Sequence, residues 1–304
     1  MGAVLDLFLN TEEESEPNPY AVYEHQLLRQ EIQQLMSKII STNASTAKYR
    51  IVVCSGPNDG KSSLINNILS ALKDDLVQVT KPGEHVNHVT KKYLEYKMTL
   101  KDGHNTQFVL CDTRGINPSG DEKTFCESMY NAIKGHYSDG QDMTDTSADA
   151  SLNVGPHRAS NSTRDEGSSR KSAVAILFVI SGDKLKAEAL RELHESIQFK
   201  AMTRINEFAN THGIPSACFI SKCDVMDDAV NKKIKVLYKS KKVQDSRKRL
   251  HSSFDGFPLN RIFPIVNYTK HMTVTPGMML QTLYAMKYVM TDIDTYLNQS
   301  TYRV

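Results

Sequence analysis

Three short runs of the 304-residue chain bring together residue types whose spacing could do chemistry. The first is Ser55-Gly56-Pro57-Asn58-Asp59-Gly60-Lys61-Ser62-Ser63. A loop that wraps backbone N–H groups around a phosphate needs small residues that can point several amides inward. Gly60 permits that close approach at a helix start, Lys61 supplies a point charge that bridges β- and γ-phosphates, and Ser62 offers a hydroxyl to Mg2+. Ser55, Gly56, Asn58, Asp59 and Ser63 complete the candidate phosphate-binding loop. The run departs from GxxxxGK[ST] at its first glycine, which is Ser55 here, with Gly56 one place on. That first position often needs unusual dihedrals, so the departure bears on loop geometry.

The second run, Phe108-Val109-Leu110-Cys111-Asp112-Thr113-Arg114-Gly115, is an apolar strand ending in a carboxylate. Asp112 would stand at the C-terminal edge of a sheet, where it can hold Mg2+ through water. Gly115 can give its N–H to a γ-phosphate, which would make the segment after it respond to nucleotide state. Ras-like enzymes place a water-orienting Gln next, whereas this chain has Ile116. Hydrolysis would then need another group, a partner or a dimer, or be slow. Arg114 reads as a solvated arginine ahead of a catalytic one.

The third run is Cys218-Phe219-Ile220-Ser221-Lys222-Cys223-Asp224. Asp224 can accept two hydrogen bonds from guanine, at N1–H and the exocyclic amine, neither of which adenine presents. At about 1.5–3 kcal/mol for each charge-assisted bond, this gives two orders of magnitude or more of discrimination. Lys222 would lay its stem against the base, and Ser221 stands where Asn or Thr is usual. Thr90 lies where a switch threonine would complete Mg2+ coordination, with Thr80 as its rival. Asn267, in Asn267-Tyr268-Thr269, falls where a base-backing loop belongs; it or a nearby amide touches the guanine, or the run is a plain turn. The candidate catalytic residues are thus Lys61, Thr90 and Gly115, and the candidate metal ligands Ser62, Thr90 and Asp112. GTP or GDP with Mg2+ is the expected cofactor set.

These residues must be positioned by elements of the right kind. Tyr49–Cys54 reads as a buried strand and Lys61–Leu72 as a helix with Leu64, Ile65, Ile68, Leu69 and Leu72 on one face. Residues 92–100 and 107–111 read as strands joined by a turn at Lys101-Asp102-Gly103. Further strands follow at 173–181, 216–221 and 262–267, and a last helix at 278–297. Strands apolar throughout, separated by helices, imply a parallel sheet covered on both faces. The expected fold is α/β: a six-stranded, mostly parallel sheet with one antiparallel edge strand, in the order of a Ras-like G domain.

The expected organisation is an acidic, disordered arm over 1–18, an amphipathic helical segment over 19–47, and the G domain over 48–299. The helical segment carries Tyr23, Leu27, Leu28, Ile32, Leu35, Ile39 and Ile40 and would pack on the domain or on a partner. Residues 138–172, rich in Ser, Asp, Thr, Asn and Gly, read as a disordered insertion. Residues 232–249 form a basic run that reads as a solvated helical face ahead of a lipid or RNA contact.

Hydrophobic residues at 39% and charged residues at 24% are ordinary for a globular chain, and a net charge of +2 gives no nucleic-acid signal. Cys54, Cys111, Cys126, Cys218 and Cys223 contain no CxxC pair, so buried, reduced thiols are expected. No apolar run approaches the ~20 residues of a spanning helix. The first residues lack both a signal-peptide pattern and a myristoylation signal, with Asp6 where Ser or Thr is wanted. A soluble, cytoplasmic protein is expected.

The combination Gly-Pro-x-x-Gly-Lys-Ser-Ser, Thr90-Lys91-Lys92-Tyr93, Lys101-Asp102-Gly103 and Phe108 to Gly115 resembles the interferon-induced protein 44 family. So do Gly213-Ile214, Phe219-Ile220-Ser221-Lys222-x-Asp224, and Asn260-Arg261-Ile262 running into Asn267-Tyr268. The resemblance covers about residues 48 to 299. It implies a TRAFAC-class GTP-binding domain of the cytoplasm associated with innate immune responses; the TLDc domain often found upstream has no room in this chain. Departures stand at Ser55, at Ser221 and in the length of the Ser-rich insertion. Three functions compete: a GTP/GDP switch with slow or partner-assisted hydrolysis, a non-hydrolysing G-domain scaffold for protein interactions, and a P-loop ATPase or kinase. The expected partners are guanine nucleotide and either a second copy of the chain or an effector protein.

Overall fold

A computed structural model of the chain describes residues 18–43, 48–79, 92–116, 120–143, 172–254, 257–267 and 275–301. The expectations for Thr80 and Thr90, for residues 1–17 and for most of the Ser-rich insertion lie outside the described residues.

In chain order the elements are α1 (Pro19–Val22), α2 (His25–Asn43), β1 (Tyr49–Ser55), α3 (Lys61–Lys73), β2 (Leu94–Thr99), β3 (Asn105–Asp112) and α4 (Glu122–Ile133). Then come β4 (Ala173–Ser181), α5 (Leu190–Glu195), α6 (Ile197–Thr211), β5 (Ser216–Ser221), α7 (Cys223–Met226) and α8 (Asp228–Lys232). The chain ends with α9 (Lys241–Ser253), β6 (Ile262–Pro264) and α10 (Pro276–Thr301). One sheet holds all six strands in the order β2-β3-β1-β4-β5-β6, and only the β2–β3 pair is antiparallel. The expected fold class is therefore the observed one.

The pattern of apolar residues explains this arrangement. β4 is buried at every position, and β1 and β5 at all but one, as strands covered on both faces must be. From β1 the chain steps to one side, to β3, and thereafter only to the other, to β4, β5 and β6. Right-handed crossovers then place α3 on one face and α4 and α6 on the other. α10 packs along α3, and α2 lies against α10. The register brings Val53 opposite Asp112 and Ser181 opposite Ser221, so the strands carrying the three motifs end at one edge of the sheet.

Several boundaries differ from expectation for identifiable reasons. The amphipathic segment is two helices, because Tyr23 is extended (φ −117°, ψ 145°) and caps α1. Leu28, Ile32, Met36 and Ile39 of α2 are fully buried, so the segment packs on this chain's own domain. Arg29 fixes it there: its guanidinium donates to Ala71 O at 2.8 Å and pairs with Asp74 at 2.6 Å. The first six residues of the expected disordered insertion, 138–143, are instead ordered against β2. The Tyr93 N–H donates to Gln141 O and the Gly140 N–H to Tyr93 O, both at 2.8 Å, and Met143 is buried. The basic run is not one solvated helix. It breaks into the end of α8, a 3-10 turn over Ile234–Lys239 and most of α9. Lys232, Lys233, Lys235, Lys239, Lys241, Lys242 and Lys248 are exposed, whereas Arg247 is buried and donates to Ile262 O and Leu259 O at 2.9 Å.

Candidate functional site

The phosphate-loop candidate leaves β1 at Ser55 and enters α3 at Lys61. Its left-handed residues are Asn58 (φ 61°) and Gly60 (φ 88°), not Ser55. A serine is tolerated at the first position because the backbone there is still strand. Glycine is required at position 60 on two counts, the positive φ and space: a Cβ would sit 2.8 Å from Asn267 Nδ2. At position 56 a Cβ would run into the Gln198 carboxamide, so the displaced glycine lies where a neighbouring side chain crosses the loop.

Asp59, in the middle of this loop, is fully buried. Its carboxylate accepts from Gly56 N–H at 3.0 Å, Ser181 N–H at 3.2 Å and Gln198 Nε2 at 2.5 Å, and pairs with Lys184 Nζ at 2.8 Å. Lys61 is buried and in contact with Asp112. Burial pushes the Lys61 ammonium down to about 7. Ser62 and Ser63 follow, half-buried, on the first turn of α3.

The end of β3 is tied to the same loop. Thr113 Oγ1 donates to Val53 O at 2.7 Å, and Ile116 N–H donates to Ser55 O at 3.0 Å. Gly115 lies against Ser55, Gly56 and Pro57, with room for a Cβ at ordinary contact distance. The Ile116 side chain is fully buried in the core, and cannot orient a water where it stands.

β5 delivers the third run. Ser221 Oγ donates to Asp59 O at 2.5 Å, so the short hydroxyl does reach the phosphate loop. Lys222 has φ 56°, which turns the chain into α7, and Asp224 is half-buried on that helix. Burial raises the Asp224 pKa above the usual carboxylate value. Asp183, just beyond β4, is shifted downward: burial opposes ionisation there, but the Ser181 hydroxyl and the Lys222 charge outweigh it. Asn267, after β6, spends its side chain on the protein. Its Nδ2 donates to Gly60 O at 3.2 Å and its Oδ1 accepts from Asn67 Nδ2 at 2.9 Å.

The structure thus brings Ser55 to Ser63, Asp112, Gly115, Ser221 to Asp224 and Asn267 to one edge of the sheet. Sequence reasoning missed four polar residues that hold this cluster: Lys184, Gln198, Asn67 and Gln281. Gln281 of α10 clamps the backbone of Val266 in both directions, accepting from its N–H at 3.0 Å and donating to its carbonyl at 2.6 Å. The one signal in the sequence was Asp59 itself, a charge in a loop packed behind a buried strand, which demands a partner.

The profile of the family described as 50S ribosome-binding GTPases matches residues 50–210, more than half of the chain. The chain belongs to this GTPase family. Among curated proteins none matches it. A solved structure titled as a probable GTP-binding protein engB aligns at 18% identity over 71% of this chain and 88% of its own. Its TM-score of 0.38 is too low to add to the assignment. As a member of a GTPase family built on this sheet, the domain is a GTP-binding G domain. Among the described residues no helix is long and apolar enough to cross a membrane, and no group of three or more His, Cys, Asp or Glu could hold a metal.

Proposed function

We propose that this G domain is a GTP/GDP switch whose hydrolysis is slow or depends on a partner. The observation that carries the reading is the hydrogen-bonded convergence on Asp59 and Gly60: Ser221 Oγ reaches Asp59 O, and Asn267 Nδ2 reaches Gly60 O. The candidate base-reading segments are thereby hydrogen-bonded to the candidate phosphate loop, which suits simultaneous recognition of base and phosphates. In this reading Lys61 neutralises phosphate charge, Gly60 and its neighbours present amides, Asp224 accepts from guanine, and Lys222 covers the base. Thr90 and Gly115 would sense the γ-phosphate.

The donors at Ser62 and Asp112, a hydroxyl and a carboxylate, suit Mg2+, which prefers oxygen ligands and keeps several waters. Bound there, the ion would neutralise phosphate charge. Asp112 would have to share or release its contact with Lys61, and the phosphates offer that lysine a substitute.

A second reading, a scaffold that binds nucleotide without hydrolysing it, draws on the buried Ile116. An innate-immune role draws on the resemblance to the interferon-induced protein 44 family.

Thermal stabilisation by GTP, GDP, GMP and ATP with Mg2+, beside Lys61→Ala, tests the proposal. Binding at a hundredfold excess over Kd stabilises by about 2.7 kcal/mol. A shift with guanine nucleotides only, lost in the variant, supports the switch; equal shifts with ATP, or none, would overturn it.

A further inference from the structure

The candidate phosphate loop contains a carboxylate, and the structure shows what neutralises it. Asp59 lies two residues before Lys61, has no exposed surface, and engages four donors. Only one carries charge: Lys184, from the 3-10 turn Gly182–Leu185 that follows β4. Its ammonium also donates to Gln198 Oε1 at 2.7 Å, while Gln198 Nε2 donates to Asp59 at 2.5 Å, closing a triangle across Gly56. A buried carboxylate is costly unless paired and hydrogen-bonded. One facing a polyphosphate site would also repel the ligand through a low-dielectric interior, where charges are poorly screened.

We propose that Lys184 is a positioning residue that sets phosphate affinity through Asp59, an inference that rests on the nucleotide-site reading above. Paired, the two charges cancel and Asp59 adds no net negative charge to the loop that meets the phosphates. Unpaired, a fixed negative charge lies within the loop. Gln198 holds the pair in place, and a glycine at position 56 is the space it needs. The side chain of Lys184 is about one third exposed, 32% against 0% for Asp59, so the pair can be reached from solvent.

The test measures GMP, GDP and GTP affinities on the full chain for Lys184→Met, Lys184→Arg, Asp59→Asn and the Lys184→Met/Asp59→Asn double variant. Ligand charge rises from GMP to GTP, so Lys184→Met should weaken GTP by about tenfold or more, GDP by less and GMP least. Added salt should narrow the differences. The double variant should recover most of the loss, and Lys184→Arg should bind nearly as the native chain does. Equal loss for all three nucleotides, or no recovery in the double variant, would mean a packing role and overturn the inference. If Lys184→Met does not fold, the double variant decides: failure of that variant to fold or to bind is equally contrary. Loss of binding in Lys61→Ala with native affinities in Lys184→Met sinks this inference alone; a native chain that binds no nucleotide sinks both.

Discussion

Replacing Ile116 by glutamine separates a missing catalytic side chain from a backbone that cannot present one. Ile116 is fully buried, and its N–H is already committed to Ser55 O at 3.0 Å. Burial of an isoleucine side chain is worth about 1.5–3 kcal/mol. An amide left in its place without partners costs about another 1–3 kcal/mol. Ile116→Gln should therefore lower stability by roughly 2.5–6 kcal/mol in urea melts, or somewhat less if the glutamine swings outward and leaves a cavity. Single-turnover GTP hydrolysis should stay within about threefold of the native chain, since the position faces the core. A tenfold gain in rate with stability nearly intact would refute the reasoning. Position 116 would then face the γ-phosphate in the reactive state, and only side-chain chemistry would limit turnover.

Asp224→Asn should weaken GTP by about two orders of magnitude and shift preference toward xanthosine triphosphate, since the amide inverts the donor–acceptor match; unchanged guanine selectivity in competition binding would remove Asp224 from base recognition. Arg29→Ala should cost about 2–4 kcal/mol by chemical denaturation, less than the full loss of a buried pair because Lys101 still meets Asp74 at 2.7 Å. A change under 1 kcal/mol would mean that α2 does not depend on this pair for its place. Acid should weaken the same region. Burial raises the pKa of both Asp74 and Glu95, but Lys101 and Arg29 on the first, and Lys48 and Arg50 on the second, bring each below its ordinary value. Their contribution is present above the unfolded pKa values, near 4, and is lost as pH falls through the lower folded ones. Melting temperature should therefore drop below about pH 4, and Asp74→Asn with Glu95→Gln should flatten that limb.

What the sequence made legible was what local pattern controls. The apolar runs of β1, β4 and β5, the helix at Lys61, and the turn closed by Gly103 N–H to Leu100 O each follow from residues adjacent in the chain. What stayed hidden depends on partners far along it. Nothing near Tyr23 announces the break between α1 and α2; there Tyr20 docks on Gly277 O, 257 residues away, at 3.2 Å. The expected strand over 262–267 stops at Pro264, and the backbone of Val266 is taken up by Gln281 and Asn67 instead. The order of Ser138–Met143 is hidden because polar composition usually means disorder, yet here Asp139 accepts from Glu95 N–H at 2.9 Å and Gln141 from Ser138 N–H at 3.0 Å.

The departures from the G-domain pattern divide into two kinds, and the division bears on function. Ser55 is accommodated because left-handed backbone is needed only at 58 and 60. Gly56 gives Gln198 its crossing, and Ser221, though short, bonds Asp59 O at 2.5 Å. Asp59 arrives with Lys184 to balance it. Each of these changes is matched by a partner that keeps the loop folded. Ile116 differs: it is packed as an ordinary core residue. A buried Asp59 needs its partner for the loop to fold at all, because an unpaired buried charge costs more than the desolvation of the pair. The pattern of compensation keeps the candidate phosphate loop folded around Asp59 and Gly60, as the proposed nucleotide site requires.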